Sequence, residues 1–208
     1  MVSIFKLLIG ALSGLFLFSA FAPISFWPGA IVGLAGLFFA LKNEGFINRF
    51  FAGFICGSTF FLPLLHWSST YVGSLPWLIL GIGQALIFAL VGVLPIKSNL
   101  SGVISFSASF MAVEILRMKF PFGGFGWGRV GFTQVDSLSN LYPFISVTGI
   151  SLLVAFLGSL LIYSKRIFLF LILVSVSVFF LPQKIATTGT FSAIAVQGGV
   201  DKIGRAHV

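Results

Sequence analysis

Acidic side chains are scarce in this sequence, with 4 Asp and Glu against 12 Lys and Arg, and charged residues of both signs fill only 8% of its 208 positions. A water-facing surface draws on about 25% charged residues, so a soluble globular domain is excluded. A single cysteine, Cys56, rules out an intrachain disulfide and a cysteine-based metal site, and no metal or cofactor is expected. No internal repeat is visible, which argues against the paired broken helices of many transporters. What the chain has in abundance is apolar bulk: 58% of residues are hydrophobic and 27 are Phe. A membrane span takes about 20 such residues, so the chain has room for six or seven spans and little else. The net charge of +8 comes from cations scattered singly and in pairs between apolar runs. That pattern is a topology signal rather than a nucleic-acid footprint.

The apolar runs cover 4–22, 26–41, 50–65, 71–94, 100–116, 141–163 and 167–181, which predicts an all-α polytopic membrane protein of about seven transmembrane helices. The first run follows Lys6 and resembles a signal peptide, but further runs and Pro23 follow it, so it reads as a span. With the N-terminus in the cytoplasm, the inner segments carry Lys6, Lys42, Arg49, Lys97, Lys165 and Arg166, and the first two outer loops carry no cation. This satisfies the positive-inside rule and places the end of the seventh span outside the cell. The fifth connection, 117–140, faces outward yet holds Arg117, Lys119 and Arg129. As the longest connection in the chain, it is the first place to look for function.

Beyond 181 the character changes. Pro182, Gln183 and Lys184 end the apolar run, and FSAIAVQ at 191–197 reads as a short buried strand. A lone strand is not stable, so it either docks on another chain or opens a soluble domain that continues in a longer protein. The expected organisation is a helical membrane domain over 1–184, the start of a truncated domain over 185–202, and a tail over 203–208. That tail, IGRAHV, matches the translation of a common sequencing adapter, so no function is assigned to Arg205 or His207.

Residues 114–134, EILRMKFPFGGFGWGRVGFTQ, carry the most chemical information. Glu114 and Arg117, three apart, share a helix face and read as a structural ion pair rather than a catalytic couple. Pro121, Gly123, Gly124, Gly126 and Gly128 prevent regular helix, and they interleave with Phe120, Phe122, Phe125 and Trp127. Irregular backbone at membrane depth needs cover from protein or a water-filled cavity. Two readings of this loop stand side by side. One is a lipid-contacting loop with Arg129 near phosphate; the other is an aromatic belt without a ligand. His66 lacks a neighbouring nucleophile or carboxylate motif and reads as an interfacial hydrogen-bonding group rather than a general base. Cys56 reads as packing, and Asn48 and Gln84 as helix-bridging polar residues.

Several stretches together resemble the bacterial apolipoprotein N-acyltransferases. They are Phe21-Ala22-Pro23 with Trp27-Pro28, the third span from Gly53 to Trp67, Glu114-x-x-Arg117, and above all FPFGGFGWGRVGFTQ. The loop is most similar to the actinobacterial pattern FPFGGFPWGR followed by a Ser/Thr-Gln pair, with Gly126 in place of the usual proline. Leu141-Tyr142-Pro143, Gly149 and Ser151-Leu152-Leu153 match the family loosely, and AIAVQG at 193–198 resembles the first strand of its nitrilase-like α/β domain. The resemblance implies a multi-pass enzyme of the bacterial inner membrane. Such an enzyme moves an acyl chain from a phospholipid donor to the N-terminal cysteine amine of a diacylated apolipoprotein, through a thioester on a catalytic cysteine. The family's catalytic cysteine, glutamate and lysine match no residue of this chain, so the sequence is expected to be the membrane portion alone, inactive by itself, with no catalytic residue. Substrate contacts are expected at Gly124, Phe125, Trp127, Gly128 and Arg129. The alternatives are a non-enzymatic polytopic protein, such as a permease or a membrane anchor, and a split enzyme that docks a separate nitrilase-like subunit.

Overall fold

The computed structural model describes residues 4–169 and residue 173. Their helices are α1 (Ile4–Ser19), α2 (Pro28–Leu41), α3 (Phe46–Leu64), α4 (Ser69–Val72), α5 (Ser74–Phe88), α6 (Leu100–Arg117), α7 (Val135–Leu138) and α8 (Tyr142–Tyr163). No strand occurs among the described residues. Six of the seven expected apolar runs thus fold as helices. The stretch from α5 to Gly92, together with α3, α6 and the region ending in α8, is long and apolar enough to cross a membrane, while α1 and α2 are shorter. Most of the seventh run, beyond 169 and apart from 173, lies outside the described residues. So do the strand at 191–197, the domain boundaries at 184 and 202, and the tail at 203–208.

Local sequence sets the helix ends. Pro28 and Pro143 stand in the first turns of α2 and α8, where a missing N–H removes no helix bond. Asn99 caps α6 by accepting from Gly102 N–H at 2.9 Å, which satisfies one of the free donors of its first turn. Within α8 the backbone leaves helical geometry at Ser146 (φ 59°, ψ 177°).

α1 packs on α2 and α3, α2 on α8, α3 on α5, and α6 on α8. Between them lies a core of phenylalanine rings, with Phe60 and Phe61 4.4 Å apart and Phe38 edge-on to Phe106 at 5.5 Å. Cys56 is fully buried in it, as a packing residue would be.

The inner end, as the charge pattern defines it, is tied by polar contacts between connections. Lys6 pairs with Glu44 at 2.8 Å and donates to the Lys42 carbonyl at 2.9 Å. Arg49 donates to the Gly92 carbonyl at 2.7 Å and to the Glu44 carbonyl. The Asn43 amide donates to Ser98 Oγ at 2.7 Å and accepts from Ser98 N–H at 3.1 Å. Asn48, expected to bridge helices, instead donates to Glu44 Oε2 at 2.7 Å, one turn away in sequence. A side chain of its length at the start of α3 finds an acceptor in its own turn before it reaches a neighbouring helix. The opposite end carries the first hairpin, the segment from His66 to Val72, and the long connection between α6 and α8.

Candidate functional site

The long connection is an ordered platform, and the side chains that hold it come from three helices. Arg117, at the end of α6, is 1% exposed. Its Nη2 donates to the Trp127 carbonyl at 2.7 Å, its Nε donates to Gln84 Oε1 on α5 at 2.6 Å, and its guanidinium lies 4.2 Å from the Phe61 ring centroid. The Arg117 carbonyl accepts from Phe125 N–H at 2.6 Å. One residue therefore fastens the loop at two points.

Glu114, a helical turn earlier, accepts from Val130 N–H at 2.8 Å and faces Arg129 Nε at 3.7 Å. The expected pairing of Glu114 with Arg117 is thus replaced. Arg117 turns toward Gln84 and the Trp127 carbonyl, and the loop's own Arg129 becomes the ion-pair partner. The reason is geometric: Arg117 is buried and finds two oxygen acceptors in Gln84 and the Trp127 carbonyl, which leaves the buried carboxylate to the guanidinium that the loop brings to it. Gln84 does bridge helices, from α5 to α6.

From α8, Ser151 Oγ accepts from Gly131 N–H at 2.8 Å, Thr148 Oγ1 accepts from Arg129 Nη2 at 2.6 Å, and the Tyr142 hydroxyl donates to the Gly131 carbonyl. Gln134 donates to the Trp27 carbonyl at 3.2 Å, so the loop's far end rests on the first hairpin.

The five residues expected to contact substrate separate into two groups. Trp127 is 54% exposed, and its ring lies 5.6 Å from that of Trp67. Gly124 and Gly128 have φ of 90° and 77°, a region costly for residues with a Cβ. A Cβ on Gly128 would stand 2.8 Å from Leu64 Cδ2, and one on Gly124 would stand 2.1 Å from the Met118 carbonyl carbon. Phe125 packs beneath the loop against the core. Arg129, expected near lipid phosphate, is 8% exposed and turned inward to Thr148 and Glu114. Opposite charge buried beside it and a hydroxyl acceptor at Nη2 hold the guanidinium inside the protein, while Arg129 Nε and Glu114 Oε2, 3.7 Å apart, are buried without a hydrogen bond.

Trp127 and Trp67 are walls of an apolar cleft of about 510 Å³, completed by Phe21, Leu64, Gly126 and Phe132 among others. Its volume is in the range of small-molecule sites, and its lining suits hydrocarbon. Lys119, Phe120 and Phe122 project at the edge of the loop, with Phe122 fully exposed. His66 stacks edge-on against Trp77 at 5.0 Å. Among the described residues, no group of three His, Cys, Asp or Glu side chains is placed to hold a metal ion.

Residues 13–160 match the family described as the apolipoprotein N-acyltransferase N-terminal domain. The chain belongs to this family. It is 28% identical over 158 residues to the apolipoprotein N-acyltransferase of Haemophilus influenzae, a match covering 71% of this chain and 30% of the relative. The match to the Pasteurella multocida protein of the same name is 28% over 169 residues, covering 76% and 32%. The Mycolicibacterium smegmatis relative is 38% identical over 81 residues, covering 38% of this chain and 14% of its own length. The chain spans about a third of the length of the first two curated relatives. The family match over 13–160 takes in the loop and every residue named above as a wall of its cleft.

Trp67, Phe21 and Phe132 as cleft walls, and Thr148, Ser151 and Tyr142 as loop supports, escaped the sequence reading. Thr148 and Ser151 did carry a signal, since two small hydroxyl residues three apart on a largely apolar helix share one face. The cleft walls carried none, because aromatic residues are abundant throughout the chain.

Proposed function

We propose that this chain is the membrane portion of an apolipoprotein N-acyltransferase, and that the cleft between Trp67 and Trp127 holds an acyl chain at the outer rim of the substrate portal. The cleft is the observation that carries this reading: an apolar groove walled by two half-exposed tryptophans, on a loop fixed from below. The donor is a phospholipid and the acceptor is the N-terminal cysteine amine of a diacylated apolipoprotein, in the bacterial inner membrane, with the N-terminus cytoplasmic and the loop outside. Trp127 is the main apolar contact and can bury up to about 150–250 Å². Gly124 and Gly128 shape the turns that present it, Phe125 seats the loop, and Arg129 holds it to α8. The bond-making residues lie outside this chain, whose part is to bind and orient lipid.

The experiment compares Trp127→Ala with Trp27→Ala, an exposed tryptophan of the first hairpin, in acyl transfer by this chain joined to the family's catalytic domain. Trp127→Ala is expected to lower lipid-substrate use at matched membrane levels while Trp27→Ala leaves it near the parent. Equal activity in both, or losses that track protein level alone, would refute the reading. The chain expressed by itself is expected to insert in the membrane and transfer no acyl group, which a lipoprotein-peptide acylation assay checks directly.

A further inference from the structure

Both tryptophan walls of the cleft rest on one helix that is not itself a wall. Trp127 is held through its carbonyl by Arg117, and Arg117 is held by Gln84 of α5. Trp67 follows His66, whose ring stacks on Trp77 of α5, and Trp77 Nε1 donates to the Leu62 carbonyl at 3.0 Å in the last turn of α3. Trp77 and Gln84 are seven residues apart, two helical turns, and so lie on the same face of α5. That face packs on α3 so closely that a Cβ on Gly57 would stand 2.9 Å from Ala85 Cα. The opposite side of α5, with Leu75, Ile79, Ile82 and Leu86, is exposed.

From this juxtaposition we infer that α5 sets the width of the cleft, with Trp77 and Gln84 as its positioning residues. Gln84 acts through Arg117 on one wall, and Trp77 acts through His66 and the end of α3 on the other. A shift of α5 moves both anchors together, so the separation of the walls follows the seating of this one helix. The inference rests on the cleft being the acyl site for its functional meaning, but its geometry can be read without measuring acyl transfer.

The test places nitroxide pairs on the whole chain in lipid vesicles and reads inter-label distance distributions by electron paramagnetic resonance. The outer pair is Thr70→Cys with Phe122→Cys, on the same loop as Trp127 but fully exposed and outside the cleft lining. The inner pair, Phe46→Cys with Leu100→Cys, reports the opposite end of the bundle. Native Cys56 is fully buried and takes no label. Gln84→Leu and Trp77→Phe are each expected to at least double the width of the outer distribution while the inner one stays at the parent width. Gln84→Glu, which still offers Arg117 an oxygen, is expected to keep the outer distribution narrow. The inference is overturned by an unchanged outer width in either of the first two variants. Equal broadening of both pairs, or a Gln84→Glu protein as broad as Gln84→Leu, overturns it as well. Because the labels read distances and not acyl transfer, a negative result here leaves the acyl-site reading to its own transfer assay, and the reverse holds too.

Discussion

Glu114 accepts a backbone N–H from the loop and faces the Arg129 guanidinium while buried between α6 and α8. Its removal leaves the buried Arg129 without its opposite charge, whereas loss of Ser151 Oγ removes its bond from Gly131 N–H and its contact with the carboxylate but leaves the charge pair in place. Breaking a buried charge pair costs about 3–5 kcal/mol, against about 0.6–1.7 kcal/mol for a polar contact between membrane helices. Glu114→Ala is therefore expected to destabilise the chain more than Ser151→Ala, as measured by equilibrium unfolding in mixed micelles. Equal effects would mean that the carboxylate carries no charge role. At this scale the sequence was half legible. That Glu114 needed a buried partner followed from its place in an apolar helix. Which arginine it takes depends on a loop whose path is set by Pro121 and by glycines at positive φ, and a helical spacing rule does not reach that far. For the same reason Arg129 looked available to phosphate until Thr148 and Glu114 were brought to it.

Among elements, the connection between α2 and α3 has a stability that is expected to respond to pH. The Glu44 carboxyl is held below the ordinary carboxylate range by the hydrogen bond from Asn48 and by the hydrogen bond and charge of Lys6. A pKa that is lower in the fold than in the unfolded chain means the ionised form is the stabilised one. The contribution is thus complete above the unfolded value, about 4.3, and is lost as pH falls through the lower folded value. Thermal unfolding in detergent is expected to show the parent more stable than Glu44→Gln at pH 7, with the gap closing as pH drops below about 4. A gap that persists at low pH would assign the stabilisation to shape rather than charge. The helices themselves were legible almost to their ends, because runs of apolar residues leave the backbone no partner in lipid but itself. The run at 71–94 was less so. Gly73, at φ 87°, separates α4 from α5, and hydropathy does not register such a break.

Over the whole molecule, segments expected on one side of the membrane meet one another. Lys6, Asn43, Glu44 and Ser98 converge at one end, while Trp27, Trp67, Trp127 and Gln134 converge at the other. Tags in the loop at 43–48 and after Lys184 are accordingly expected to report cytoplasmic and extracytoplasmic sides, and same-side reporting would contradict the odd span number. The class of the molecule was written in its composition, and its family in one glycine- and aromatic-rich loop. The cleft was not, since it arises where the end of α3, the first hairpin and the loop meet, three segments far apart in sequence. The most direct test of that cleft as an acyl site uses a phospholipid with a photoactivatable diazirine in its acyl chain, mixed into vesicles holding this chain. After illumination, adducts are located by mass spectrometry. The expected result is enrichment on Trp67, Trp127 and Phe132 over the lipid-exposed Leu75 and Ile79, lost when Gly126→Trp fills the cleft. Adducts spread evenly over exposed helix faces, and unchanged by Gly126→Trp, would contradict it.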